Sequence, residues 1–414
     1  MSLYSAFYAS LSGLSSNANA LGVIGNNLAN LNTIGFKSST ASFQDLFNAA
    51  LGGSGTQGNG DPMQIGLGAS LGSVSQDFSQ GSPQASGTVT SMALQGSGFF
   101  TLQTAAGAAE YSRAGNFSVN KNGYLVDPSG NSVMGWNAVA GKVSTNGTVV
   151  PIFLNPGATS PPSATTTIAN TTNLDSASAN GTTFTTPVAI FDSLGASHNL
   201  QITYTKTGVG TWSVAVATDT GVAVTGYPSP ITFDSSGNLT SPITNPTLGA
   251  ITWPSGATNA GIKVGVWSSA TPPVSALTSY STSSGTTATT QDGFASGSVA
   301  SLAVDQTGTI IGTFTNGQTL PLAQIAVTSF ANPNGLEKQG DNMYTMTLAS
   351  GTPNVGAADT GGRASVLGSN LESSNVDVAT EFTKLIINQN GYQANSRVIT
   401  TANTLLQTVL GLIQ

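Results

Sequence analysis

The sequence predicts a mainly β protein with α-helical termini. The terminal helices pair as a coiled coil, and two or more β domains lie between them, the middle one inserted into the first. Three observations predict this. Both ends are uncharged: the first charged residue is Lys37, and Val398–Gln414 holds none. Both ends carry apolar residues at seven-residue spacing. The body between them is rich in Gly, Ser and Thr, with short alternating runs broken by turn residues, the pattern of strands.

The C-terminal arm has the cleaner repeat. Val378, Leu385, Tyr392, Ile399, Leu406 and Ile413 recur every seven residues, with Phe382 and Leu410 beside them. As one helix, this stretch spans about 54 Å at ~1.5 Å per residue, long for a core helix. In the N-terminal arm Phe7, Leu14, Leu21 and Leu28 keep the same spacing, and Leu3, Ile24 and Leu31 occupy the adjacent row. Gly22, Gly25 and Gly391 weaken these helices by ~1 kcal/mol each relative to Ala. Burying six large residues returns roughly 9–18 kcal/mol at ~1.5–3 each, so burial wins. Apolar stripes at the two extremes make sense when the ends meet each other or meet neighbouring copies, which points to a self-assembling subunit.

Composition narrows the function classes. Charged residues are 7% of the 414, against about 25% in an ordinary soluble domain. There is no Lys/Arg cluster and the net charge is -7, so neither nucleic acid nor an anionic membrane surface is an expected partner. Cys is absent, which removes disulfides, thiolate metal sites and thiol nucleophiles. The start lacks a basic region followed by a solid apolar core, so no cleaved signal peptide is expected. No run of about 18 apolar residues exists to insert in a membrane. An exported composition without such a signal suggests a route other than the general secretory one.

Along the chain, residues 1–31 and 376–414 form the helical arms. Residues 32–72 form an irregular connector, with Gly52–Gly60 as a flexible stretch. Residues 73–152 and 299–375 form one discontinuous β domain, and 153–298 an inserted outer β domain. Tyr111–Val119 and Tyr124–Val126 read as a hairpin about Asn122-Gly123. In the middle, Val188–Phe191, Leu200–Tyr204 and Trp212–Ala217 read as strands. Asp127, Asp192, Asp234 and Asp305 stand in Gly-containing turns, and turn chemistry explains them without bound Ca²⁺. His198 is the only histidine, and a lone loop histidine is far more often a packing residue than a catalyst. No Ser/His/Asp order, metal-ligand spacing or phosphate loop occurs, so no catalytic residue, cofactor or metal site is expected.

Several motifs carry a resemblance. Asn26-Asn27-Leu28-Ala29-Asn30, Thr33 and Gly35-Phe36-Lys37 resemble the N-terminal signature of the bacterial flagellar rod, hook and hook-associated axial proteins. Asn370-Leu371-Glu372-Ser373-Ser374-Asn375-Val376-Asp377 resembles their C-terminal signature, with Glu381, Gln389, Tyr392-Gln393-Ala394-Asn395, Ile399 and Thr401 continuing it. Gly96-Ser97-Gly98-Phe99-Phe100 and Tyr111-Ser112-Arg113-Ala114-Gly115-Asn116-Phe117 are similar to the shared β domain. Phe191-Asp192-Ser193-Leu194-Gly195, Trp212 and Asp292-Gly293-Phe294-Ala295-Ser296-Gly297 are similar to the insert of the hook branch. Asn390, Gly391 and Asn403 depart from the pattern and soften the C-terminal arm.

The resemblance implies a structural subunit of the flagellar hook, a hollow curved tube that transmits motor torque to the filament. Its partners would be further copies of itself, the distal rod protein, the hook-capping protein, the hook–filament junction protein and the flagellar type III export apparatus. It would sit in the flagellum at the cell exterior, exported without a cleaved signal peptide. The alternative is a distal-rod or hook-associated component, against which the insert and the length argue. A secreted enzyme or glycan-binding β protein would need a convergent polar site that the sequence lacks. The expected assembly residues are Phe7, Leu14, Leu21, Leu28 and the C-terminal row from Val378 to Ile413. Asn26, Asn27 and Asn30 can bond backbone and neighbours. Gly35 can close the first helix in a left-handed conformation, and Asn375 or Asp377 can cap the second.

Overall fold

The computed structural model describes residues 3–46, 48–50, 64–155, 157–268 and 273–412. The chain divides into two compact units. The first comprises residues 1–156, 302–312 and 320–414, and the second 157–301 and 313–319.

In the first unit, segments from before and after the middle of the chain share one sheet. Strand Thr319–Ser329 pairs with Ser132–Asn137, with Gly135 opposite Ile325, and with Phe99–Gln103, with Phe100 opposite Val327. Phe99–Gln103 in turn forms a hairpin with Ala109–Ser112. Apolar residues of this sheet and its neighbours close over one core that includes Leu94, Phe100, Leu102, Val133, Ile325 and Val366. A smaller aromatic cluster of Phe78, Phe99, Tyr111, Phe330 and Tyr344 adjoins it. Tyr111 and Phe330 meet edge to face at 4.8 Å.

Two helices complete this unit, α1 (Leu3–Ala29) and α2 (Val378–Leu412). The connector, irregular by sequence, contains a ribbon: Ser39–Asp45 pairs antiparallel with Ala69–Gln76. Ala41 lies opposite Val74 and Phe43 opposite Leu71. The partner strands are far apart in the chain and rich in Ser and Gly, so neither announces itself by propensity. Ile413 lies outside the described residues, as does all of Gly52–Gly60.

The second unit has its own core. A six-stranded sheet is built around Thr183–Phe191, Ser197–Gly208 and Thr211–Thr218. Val188, Ile190, Leu200, Ile202, Tyr204, Trp212 and Val216 alternate onto its buried face, as a period of two requires. A four-stranded sheet surrounds Thr167–Asn173.

One turn recurs in both units. The carboxylates of Asp192, Asp234 and Asp305 each accept the backbone N–H two and four residues on. Asp127 accepts that of Asn131. Each turn has Gly three residues after the Asp, at φ between 74° and 88°, a conformation that Gly adopts without strain. His198 stacks on Trp253 with ring centres 3.6 Å apart, and its Nε2 lies 3.1 Å from Asp192 Oδ2. It is a packing residue of the second unit.

Candidate assembly interface

α1 and α2 pack against each other, and their register can be read from three points. Asn27 Nδ2 donates to Glu381 Oε2 at 3.2 Å. A Cβ on Gly391 would lie 3.0 Å from Asn17 Oδ1, and one on Gly13 would lie 2.7 Å from Asn395 Nδ2. The ten-residue step from Asn27 back to Asn17 matches that from Glu381 on to Gly391. The four-residue step from Asn17 to Gly13 matches that from Gly391 to Asn395. The helices are therefore antiparallel and in steady register. Each glycine receives the asparagine of the opposite helix.

The faces differ from the sequence expectation. Among the described side chains, those buried in α1 are Ser10, Ser16, Ala20, Ile24 and Asn27, and those in α2 are Glu381 and Ala402. Ile24 apart, these are small or polar side chains, and Ser16 donates to the Ala69 carbonyl of the ribbon. Phe7, Leu14, Leu21 and Leu28 are only half-buried, as are Leu385, Ile399 and Leu406, while Val378 and Tyr392 are more open still. The seven-residue rows run along the flanks of the pair, not its centre. Small residues let the two backbones approach, and the large ones are turned aside. Tyr8, Leu11, Phe382, Ile386, Ile387, Val398 and Leu405 point outward, each between 44% and 64% exposed.

The helix ends are set by side chains. Asn30 Nδ2 donates to the Asn26 carbonyl and to Asn26 Oδ1, and the Thr33 hydroxyl donates to Asn30 Oδ1. These two asparagines serve the end of α1. Gly35 stands beyond that end. Its φ of 68° and its packing on Arg113–Ala114, where a Cβ would lie 2.5 Å from the Ala114 nitrogen, are what require glycine. Asp377 caps α2, accepting the Thr380 N–H at 2.6 Å, and the Thr380 hydroxyl, with this N–H second, holds its carboxyl below the ordinary value. Asn375 does different work: it accepts the Ser38 N–H at 2.8 Å and donates to the Asp77 carbonyl.

Below the arms lies a buried charged root. Lys37 Nζ meets Glu372 Oε1 at 2.7 Å, with both side chains fully buried. Arg113 Nη1 lies 3.4 Å from Glu372 Oε2. The Gly81 N–H also donates to Glu372 Oε1, and Lys37 Nζ donates to the Ser79 carbonyl. Burial pushes Lys37 and Arg113 below their ordinary values, and Glu372 offsets this only in part. Asn27 extends the network: its amide donates to the Ser39 carbonyl and accepts the Ser39 N–H. The end of α1, the entry to α2 and the β domain are thus tied by buried polar bonds. Sequence reasoning did not single out this cluster. The signal was present: in a chain with only 27 charged residues (10 basic, 17 acidic), Lys37, Arg113 and Glu372 each fall within one of the three signature motifs of the first unit.

Four stretches match known families. Residues 7–37 match the family described as flagella basal body rod protein, and 368–412 the flagellar basal body rod FlgEFG protein C-terminal family. Residues 93–172 match the flagellar hook protein FlgE/F/G D1 domain, and 157–294 the flagellar basal body protein FlaE D2 domain. The flagellar hook protein FlgE of Treponema pallidum is 33% identical over 98% of this chain and 98% of its own length. That of Escherichia coli is 32% identical over 98% of this chain and 100% of its own.

The chain belongs to the flagellar hook protein family.

It is a structural subunit of the bacterial flagellar hook, and the hook reading is favoured over that of a rod or hook-associated component. The crystal structure of Helicobacter pylori flagellar hook protein FlgE2 aligns with 70% of this chain and all of that one, at a TM-score of 0.50 and 16% identity, a likeness of fold. Among the described residues, no group of three or more His, Cys, Asp or Glu side chains is placed to hold a metal ion. No helix among them is long and apolar enough to cross a membrane.

Proposed function

We propose that the paired arms are the polymerisation element of the hook. The outward aliphatic and aromatic residues of α1 and α2 pack against the arms of neighbouring copies, lining the inside of a hollow tube with the β domains outside. The supporting observation is the uneven burial of the helix pair: Ile24 apart, its buried side chains are small or polar, while its large apolar ones stay half-buried or exposed. A helix pair meant only for its own chain buries its large residues first. The tube acts as a curved joint that transmits torque. Its ends meet the distal rod protein, the capping protein and the hook–filament junction protein. The subunit reaches the cell exterior through the flagellar type III export apparatus without a cleaved signal peptide.

Substituting Phe382→Asp or Ile387→Asp tests this. Each places a carboxylate on the outer face, where it is solvated in the monomer but desolvated in the tube. Both chains should fold normally by circular dichroism and fail to form tubes under electron microscopy. Normal tubes from both variants would remove the arms' outer face from the assembly.

A further inference from the structure

Asparagine followed by glycine is open to a slow backbone reaction, because glycine has no Cβ to shield its nitrogen. Five such pairs stand in the β parts of the two units: Asn122-Gly123, Asn146-Gly147, Asn180-Gly181, Asn316-Gly317 and Asn334-Gly335. Asn390-Gly391 lies in α2, and Asn59-Gly60 lies outside the described residues. In four of the five the glycine nitrogen is held. The Gly123 N–H donates to the Asn120 carbonyl, that of Gly181 to Lys206, that of Gly317 to Phe314 and that of Gly335 to Asn332, at 2.8–3.1 Å. Asn316 is tied as well: its amide donates to the Ala295 carbonyl and accepts the Gln318 N–H.

Asn146-Gly147 differs. It lies in the loop between strands Ser132–Asn137 and Val150–Pro151, which pair antiparallel, and both residues are exposed. The Gly147 N–H meets no acceptor among the described residues, and the Asn146 side chain meets no hydrogen-bond partner among them. A Cβ added at Gly147 would meet nothing within 4 Å, so the nitrogen has room to move. We propose that Asn146 is a site of spontaneous deamidation. The Gly147 nitrogen gives up its proton and attacks Asn146 Cγ. The new N–C bond closes a five-membered ring, the Cγ–Nδ2 bond breaks, and ammonia leaves with the proton. Water then opens the ring at either carbonyl, so the net change is amide and water to carboxylic acid and ammonia. Opening at Cγ gives aspartate. Opening at the backbone carbonyl gives isoaspartate, whose main chain is one atom longer. That extra atom displaces the Gly147 carbonyl, which accepts the Nε1–H of buried Trp136 at 2.8 Å. Either product adds one negative charge to a chain of net charge -7 with only 27 charged residues (10 basic, 17 acidic). The exposed surface therefore gains charge as the protein ages.

Peptide mass spectrometry of the full-length native chain tests this, with the dilute monomer held at mildly alkaline pH in water enriched in heavy oxygen. Each deamidation in that water takes up one heavy oxygen atom, which separates it from any that came before. Asn146 should convert fastest of the five, ahead of the others by several-fold to roughly tenfold, the factor that one net hydrogen bond is worth. Its rate should rise with pH, since the Gly147 nitrogen must lose its proton. Urea frees all five nitrogens, and the lead should disappear there. Asn146→Gln should remove this conversion and leave the other four unchanged. Conversion of any of the other four at an equal or greater rate in the folded chain would overturn the proposal, as would the same lead in urea. Neither outcome bears on the hook-assembly reading.

Discussion

Glu372 carries more of the arm root than any other single residue. Among the described residues it is the only carboxylate bonded to both Lys37 and Arg113, and it also accepts the Gly81 N–H. Glu372→Gln keeps the shape and leaves Lys37 and Arg113 buried without a counter-charge. Breaking a buried pair from one side costs about 3–5 kcal/mol, and urea unfolding of the first unit should show a loss of that order. Lys37→Met should cost less, because Arg113 and the Gly81 N–H still hold the carboxylate. The aspartates make a separate prediction for acid. In the second unit, burial raises the Asp192 and Asp292 carboxyls, but hydrogen bonds outweigh it and both lie below the ordinary 3.8. The donors are His198 with the Ala196 and Leu194 N–H groups for Asp192, and the Thr166 hydroxyl with the Thr166 and Thr167 N–H groups for Asp292. For depressed carboxyls the stability is complete above the unfolded value and is lost as pH falls through the folded one. The thermal midpoint of the second unit should therefore hold from pH 7 to about 5 and fall below about 4. Near-ultraviolet circular dichroism can follow it, since Trp212, Trp253 and Trp267 all lie there. Asp292→Asn should flatten part of that fall. The aspartate turns were legible in the sequence because their chemistry is local: an acceptor, two residues to the first donor, and Gly at a fixed offset.

At the scale of the element, the helices were legible and their packing was not. Seven-residue periodicity located both arms and most of their extent. It could not say which row faces the partner, because hydrophobicity reads a seam of Gly, Ala and Asn as surface. Gly391, a softening departure by sequence, is in fact the space that receives Asn17. This gives a paired prediction. At Gly22 an added Cβ meets nothing within 4 Å, so Gly22→Ala should stabilise α1 by roughly 0.5–1 kcal/mol. Gly391→Leu should instead drive the helices apart at Asn17. Far-ultraviolet circular dichroism of the monomer should show helix gained in the first variant and lost in the second. Helix loss in neither would mean that the Asn–Gly contacts do not set the register.

At the scale of the whole molecule, the division of labour follows from what each part buries. The β core of the first unit and the second unit each close over their own apolar residues. The arms leave most of their large apolar residues half-buried or exposed. That uneven burial was only half visible in the sequence: uncharged ends predicted that the arms must be covered, and only the structure separated what one chain covers from what it leaves open. The charged root was also hidden, since its members lie far apart in the chain and are united only by the fold. The central claim, that the arms complete their packing between copies, is tested most directly by amide hydrogen exchange on monomer and tube. A helix pair with a small polar seam opens readily alone. Residues 8–28 and 382–405 should exchange rapidly in the dilute monomer, while the sheet strands Phe99–Gln103 and Thr319–Ser329 stay protected. In the tube the arms should become as protected as those strands. Equal protection of the arms in monomer and tube would contradict the account.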